Sequence, residues 1–173
     1  MEWSPRTPST EPPPSPPVLE RELARLQDVG LAVVALGLND QSLHLGNVPV
    51  DKGNWKHVIR RMVDAAAIIV VMPSDTRGTA WELDRIVLSG ALVKTVFVMA
   101  PTSGTDGRVG TQWNAAASRI AFNVKLPPYD QGGCLLVFNN NGTVRVREEL
   151  RGDLRNFRSA LRRILRILQP SLF

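Results

Sequence analysis

The sequence predicts an α/β fold: a mainly parallel sheet with helices on both faces, an antiparallel edge hairpin and an amphipathic C-terminal helix. Three observations predict it. Short continuous apolar runs recur at 31–36 (LAVVAL), 67–72 (AIIVVM), 94–100 (KTVFVMA) and 134–138 (CLLVF). Continuous rather than alternating apolarity marks strands buried on both faces, as in parallel sheets. Segments with helical spacing fall between these runs, which is the βα alternation of layered α/β domains.

The elements follow in order. Residues 1–17 hold Pro5, Pro8, Pro12, Pro13, Pro14, Pro16 and Pro17 among Ser and Thr. Such a segment cannot build a ladder or a core, so it reads as a disordered tail, with a polyproline ligand for an adaptor groove as the alternative. The remaining residues, 18–173, form one α/β domain, a length sufficient for a sizeable core. Leu19, Leu23 and Leu26 share one helical face over Val18–Asp28, and Gly30 can end that helix. The strand at 31–36 opens into a polar loop of Gly37, Leu38, Asn39, Asp40, Gln41 and Ser42, and a short strand is expected at Val48–Val50.

Trp55, Val58, Ile59, Met62, Val63 and Ala66 recur at helical spacing behind Asn54, a favourable N-cap residue. Trp55 is expected in the core and His57 at the surface. The strand Ala67–Met72 then empties into a second polar loop, and a helix of about ten residues starts near Thr79. Lys94–Ala100 is the third strand, Pro101–Gly110 a glycine-rich loop and Trp113–Phe122 a short helix. Cys134–Phe138 is the fourth strand. Asn139, Asn140, Asn141 and Gly142 form a hairpin turn into an antiparallel edge strand at Thr143–Val146.

A helix over Glu148–Leu168 closes the chain, with Leu150, Leu154, Phe157, Leu161, Ile164, Leu165 and Leu168 as its apolar stripe. Arg151, Arg155, Arg158, Arg162, Arg163 and Arg166 run beside that stripe. The net charge of +5 comes from residues 145–173, because residues 1–144 balance 13 Lys/Arg against 13 Asp/Glu. The basic flank reads as a solvated face of a docking helix, or as a contact for anionic membrane headgroups or an acidic partner. A nucleic-acid partner is disfavoured, since no aromatics interleave with the arginines.

The lone Cys134 excludes an intrachain disulfide, and His44 and His57 lack metal-ligand spacing, so no metal site is expected. With no secretory leader pattern, the expected location is the cytoplasm, with a membrane-peripheral variant through the basic helix. No GxGxxG or GxxxxGK[ST] motif occurs, which disfavours Rossmann and P-loop nucleotide binding.

The candidate chemistry lies at the ends of the first two strands. In a doubly wound sheet both loops can open into one crevice at the carboxyl edge. That crevice would hold Gly37, Asn39, Asp40, Ser74, Asp75, Thr76, Gly78, Thr79, Trp81 and Glu82. Gly78 allows close backbone approach, a helix N-terminus favours phosphate, and hydroxyls suit a sugar. A carboxylate beside an anomeric carbon can attack it or stabilise an oxocarbenium-like transition state. Trp81 can stack on a base or belong to the core. The competing account is structural: Ser, Asp and Thr before a helix are capping residues, and a first-turn Glu serves the helix dipole.

Gly78, Thr79, Ala80 and Glu82 within GTAWEL resemble the GTAFE-type segment of nucleoside 2-deoxyribosyltransferases. There the glutamate attacks the sugar carbon of an N-glycosidic bond. Thr76 stands where that family carries a second acid, with Asp75 one residue earlier. Over about residues 30–101 the wider pattern resembles bacterial TIR-like (Toll/interleukin-1 receptor-like) domains. LAVVALG, the Trp55 helix, AAAIIVVMPSDTRG and the spaced Thr76, Gly78, Trp81, Glu82 and Leu83 carry that resemblance. It implies a flavodoxin-like fold and an N-glycosidic-bond hydrolase or transferase, with Glu82 catalytic and the other crevice residues binding substrate. It also implies NAD or a related nucleotide as substrate rather than cofactor, in bacterial signalling or defence. The alternative it implies is a non-catalytic module that self-associates through TIR-like surfaces.

Overall fold

The computed structural model describes residues 54–74, 76–102, 108–120 and 124–168, together with the strand assignment alone at 34–35 and 46–47. The proline-rich tail at 1–17, the helix expected over Val18–Asp28 and the strand expected at Val48–Val50 lie outside the described residues. The elements are β1 (Val34–Ala35), β2 (Gly46–Asn47), α1 (Trp55–Ala65), β3 (Ile69–Val71), α2 (Arg77–Leu88), β4 (Thr95–Met99), α3 (Arg108–Ile120), β5 (Cys134–Phe138), β6 (Val144–Glu149) and α4 (Phe157–Leu168). Short 3₁₀ turns at Ala91–Lys94 and Leu154–Asn156 lead into β4 and α4.

A four-stranded sheet in the order β3-β4-β5-β6 forms the centre. β4 and β5 are buried along their whole length, as their unbroken apolar runs require. Side chains alternate across the sheet and feed two cores. Phe97, Met99, Cys134, Leu136 and Phe138 meet Ile59 and Val63 of α1, Leu83 and Ile86 of α2, and Trp113 and Ile120 of α3. Val96, Val98, Leu135 and Val137 point the other way, onto Phe157, Ala160, Leu161, Ile164 and Leu165 of α4. Helices therefore cover both faces of the sheet. β6 is the antiparallel edge strand, entered through the expected turn: Gly142 has φ 74°, and Asn141 Oδ1 accepts from the Thr143 N–H and hydroxyl.

The sheet is mixed, not mainly parallel. β3 and β4 are parallel, but β4–β5 and β5–β6 are antiparallel. The reason lies between α3 and β5. Lys125 N donates to Gly142 O beside the β5–β6 turn, and Thr102 N donates to Gln131 O at the far end of β4. The chain thus runs back along the sheet after α3 before β5 begins. That extra pass reverses the direction β5 would take in a simple βαβ crossover. β1 and β2 pair in parallel with each other, as a two-stranded sheet of their own.

Two helix limits also differ from expectation. α3 begins at Arg108, so Gly110 belongs to a helix and not to the glycine-rich loop. A Cβ at Gly110 would lie 2.9 Å from Cδ1 of Tyr129, so this glycine lets the Tyr129 ring lie against the helix. α4 begins at Phe157, not Glu148. β6 extends through Glu149, and the chain then turns through Arg151 and Gly152, both at positive φ. Asp153 restarts it by accepting from Arg155 N at 2.8 Å.

Candidate functional site

The loop after β3 leads through Pro73 and Ser74 to Thr76, the N-cap of α2. Thr76 Oγ1 accepts from Thr79 N at 3.2 Å, which satisfies one of the free N–H groups of the first turn. Ser74 Oγ donates to Thr79 Oγ1 at 2.9 Å, and the Thr76 and Thr79 hydroxyls lie 3.0 Å apart. The three hydroxyls therefore form one cluster over the helix entrance. Gly78 adds space there: a Cβ would meet only Thr76 Oγ1, at 4.0 Å.

Glu82 is in the second turn of α2, and the first turn carries no acid. The dipole account therefore does not explain it, because that effect fades beyond the terminal turn. The cap is already made by Thr76, so Glu82 does not close its own helix either. Its carboxyl is half-buried and makes no hydrogen bond or ion pair among the described residues. Burial raises its pKa above the usual carboxylate value, since the charged form loses water without gaining a partner.

Trp81 is half-buried and packs on the α1–α2–α3 core. It meets Trp55 edge-on, with Lys56 and Arg60 over its ring. One turn further, Arg85 Nη2 reaches Asp64 of α1 at 3.4 Å, while its buried Nε has no partner.

The structure thus brings together Ser74, Thr76, Gly78, Thr79, Trp81 and Glu82 on the β3–α2 junction. Gly37, Asn39, Asp40 and Asp75 lie outside the described residues. Lys56 and Arg60 were not among the residues singled out from the sequence. Their signal was a like-charge pair at i and i+4 on the polar side of the Trp55 helix.

A recess of about 330 Å³ lies elsewhere, lined by Glu148, Glu149, Arg151, Asn156, Ser159 and Arg163 at β6 and α4. Its charges are largely matched internally: Arg163 Nε holds Glu148 at 2.6 Å, and Arg147 Nε holds Glu149 at 2.6 Å. Asp153 is likewise taken by Arg155. Arg158, Arg162 and Arg166 have no acidic partner among the described residues and follow one another along one flank of α4. Among the described residues no group of His, Cys, Asp or Glu could hold a metal ion, and no helix is long and apolar enough to cross a membrane. No family model, curated protein or solved structure matches the chain.

Proposed function

We propose that the chain is an N-glycosidic-bond hydrolase or transferase, acting on NAD or a related nucleotide through Glu82. One observation carries the reading: Glu82 is a half-buried carboxylate, unpartnered among the described residues, on the helix that follows a hydroxyl-lined strand end. A half-buried acid without an ion-pair partner pays part of its desolvation unrelieved, and titratable groups perturbed in this way concentrate at functional sites. In this reading Glu82 acts as a carboxylate. It attacks or electrostatically stabilises the ribose anomeric carbon as the N-glycosidic bond breaks and the bonding pair leaves with the base. Water or a second acceptor then takes the sugar. Ser74, Thr76 and Thr79 supply hydroxyls for the ribose, and Gly78 leaves the backbone accessible.

The TIR-like resemblance, with its flavodoxin-like fold and a role in bacterial signalling or defence, belongs to the same proposal. So does a contribution from Gly37, Asn39, Asp40 and Asp75. The test is release of nicotinamide from NAD by purified protein at high concentration, comparing wild type with Glu82→Ala. Equal release by both would sink the assignment of Glu82.

A second reading is favoured by a different observation, the row Arg158, Arg162 and Arg166, left without acids among the described residues. A non-catalytic module would use that row to meet an acidic partner or anionic headgroups. The apolar stripe of α4 is already buried on the sheet, so contact would be electrostatic and salt-sensitive rather than by insertion. Binding of the full chain to phosphatidylserine vesicles at low and high salt tests the membrane form of this reading. Absence of binding at low salt would remove it.

A further inference from the structure

The turn between β6 and α4 holds the one non-glycine residue at positive φ among the described residues, Arg151, at 53°. Gly152 follows at 75°, and Asp153 N donates to Leu150 O at 3.1 Å to close the turn. Two left-handed residues in sequence give the type I′ pattern, whose first position favours Asn, Asp or Gly because a Cβ there crowds the carbonyl. An arginine at that position is strained, and strain of this kind concentrates at ligand-binding positions. Its side chain lines the recess of about 330 Å³ between β6 and α4, with Glu148, Glu149, Asn156, Ser159 and Arg163. The neighbouring acids are already taken, Glu148 by Arg163, Glu149 by Arg147 and Asp153 by Arg155. Arg151 therefore has no acidic partner among the described residues.

We propose that this recess binds a small hydroxylated oxyanion, a sugar phosphate or a sugar acid, with Arg151 as its anchor. A guanidinium takes a phosphate or a carboxylate through two parallel hydrogen bonds. Arg163 adds donors, since its 2.6 Å contact with Glu148 uses one of its five N–H groups. That contact also orders the Arg163 side chain before a ligand arrives, which lowers the ordering cost of binding. Asn156 gives its Nδ2 to Leu150 O, and Ser159 gives its hydroxyl proton to Asn156 O. Asn156 Oδ1 and the Ser159 oxygen can then accept from ligand hydroxyls. No aromatic ring lines the recess, so it offers a nucleobase nothing to stack on. The site is independent of Glu82, because α4 covers the face of the sheet opposite to α2.

Calorimetry on the full chain measures binding of glucose 6-phosphate, gluconate, inorganic phosphate and glucose. At least one of the two sugar anions should bind, and the tighter of them identifies the head group. Inorganic phosphate and glucose should each bind at least about tenfold more weakly. Either of them binding as tightly as the sugar anions would overturn the ligand class. Arg151→Gly removes the anchor and the strain together. Its affinity for the sugar anion should fall about tenfold or more, while its thermal midpoint equals or exceeds that of wild type. Arg162→Gln, on the outward row of α4, should change the affinity less than about threefold. An equal loss in Arg162→Gln would mean that anions only collect on the basic flank of α4, and would overturn the inference. Unchanged affinity in Arg151→Gly would overturn it as well. A lower midpoint in that variant would make Arg151 a residue kept for folding, with the same consequence. Failure of wild type to bind either sugar anion would remove the site altogether.

Discussion

Trp81 meets Trp55 edge-on, with ring centroids 4.9 Å apart and ring planes inclined at 69°. The contact ties the first residue of α1 to the early part of α2, while Asp64 and Arg85 tie the two helices further along. Edge-to-face pairs contribute about 0.5–1.5 kcal/mol beyond their burial. A double-mutant cycle with Trp55→Ala and Trp81→Ala, followed by urea denaturation, should return coupling in that range. Each single variant should lose about 2–3 kcal/mol, below the figure for a fully buried tryptophan. Additive losses would mean that the rings only share a surface.

Glu82→Gln should separate activity from stability. A carboxyl whose folded pKa is raised is more readily protonated in the native state than in the unfolded chain. The native state is therefore favoured below the unfolded value, near the ordinary 4.5, and loses that advantage as pH rises through the folded value. Wild type should weaken relative to Glu82→Gln between pH 4 and pH 7, so the variant should have the higher midpoint at pH 7. If Glu82 is catalytic, nicotinamide release should fall by roughly 10³-fold in the same protein. A variant less stable than wild type at pH 7 would show that the carboxylate has a partner that stabilises its charged form.

The sequence made much of the fold legible, because burial on both faces leaves an unbroken apolar run. The runs at 67–72, 94–100 and 134–138 are β3, β4 and β5, and Asn141-Gly142 marks the hairpin. Strand direction was not legible. The return pass after α3 carries Pro127, Pro128 and Tyr129, residues that read as loop, and only its tertiary hydrogen bonds show that it spans the sheet. The start of α4 was misplaced because Leu150 and Leu154 keep helical spacing with Phe157, although Leu150 is buried next to a left-handed turn. At the candidate site, Ser74, Thr76, Thr79 and Glu82 could be named from local pattern. Lys56 and Arg60 could not, since they reach Trp81 only when α1 packs on α2.

Thr76→Ala tests how far the hydroxyl cluster is a cap. Thr76 Oγ1 serves both the Thr79 N–H and the neighbouring hydroxyls. Loss of an N-cap costs about 1 kcal/mol, and Thr76→Ser should recover most of it. Thermal or urea midpoints measure this directly. If Thr76 also contacts ribose, KM for NAD should rise in Thr76→Ala and return in Thr76→Ser. A stability loss with unchanged KM would confine the residue to capping.

Gly133 and Gly152 allow backbone strain to be separated from close approach. Both have positive φ, 66° and 75°. A side chain at Gly152 would meet nothing within 4 Å, whereas a Cβ at Gly133 would lie 2.6 Å from Pro101 N and 2.7 Å from Met99 O. Gly133 opens β5 against the end of β4, and its carbonyl accepts from Leu150 N at 3.0 Å, so three strand ends converge there. Gly152→Ala should therefore cost only the left-handed conformation, about 1–2 kcal/mol. Gly133→Ala adds the displacement of buried backbone, a further 1–3 kcal/mol or so. Urea midpoints of the two variants provide the comparison. Equal losses would mean that the β4–β5 entrance yields without cost, and that Gly133 is set by its dihedral angle alone.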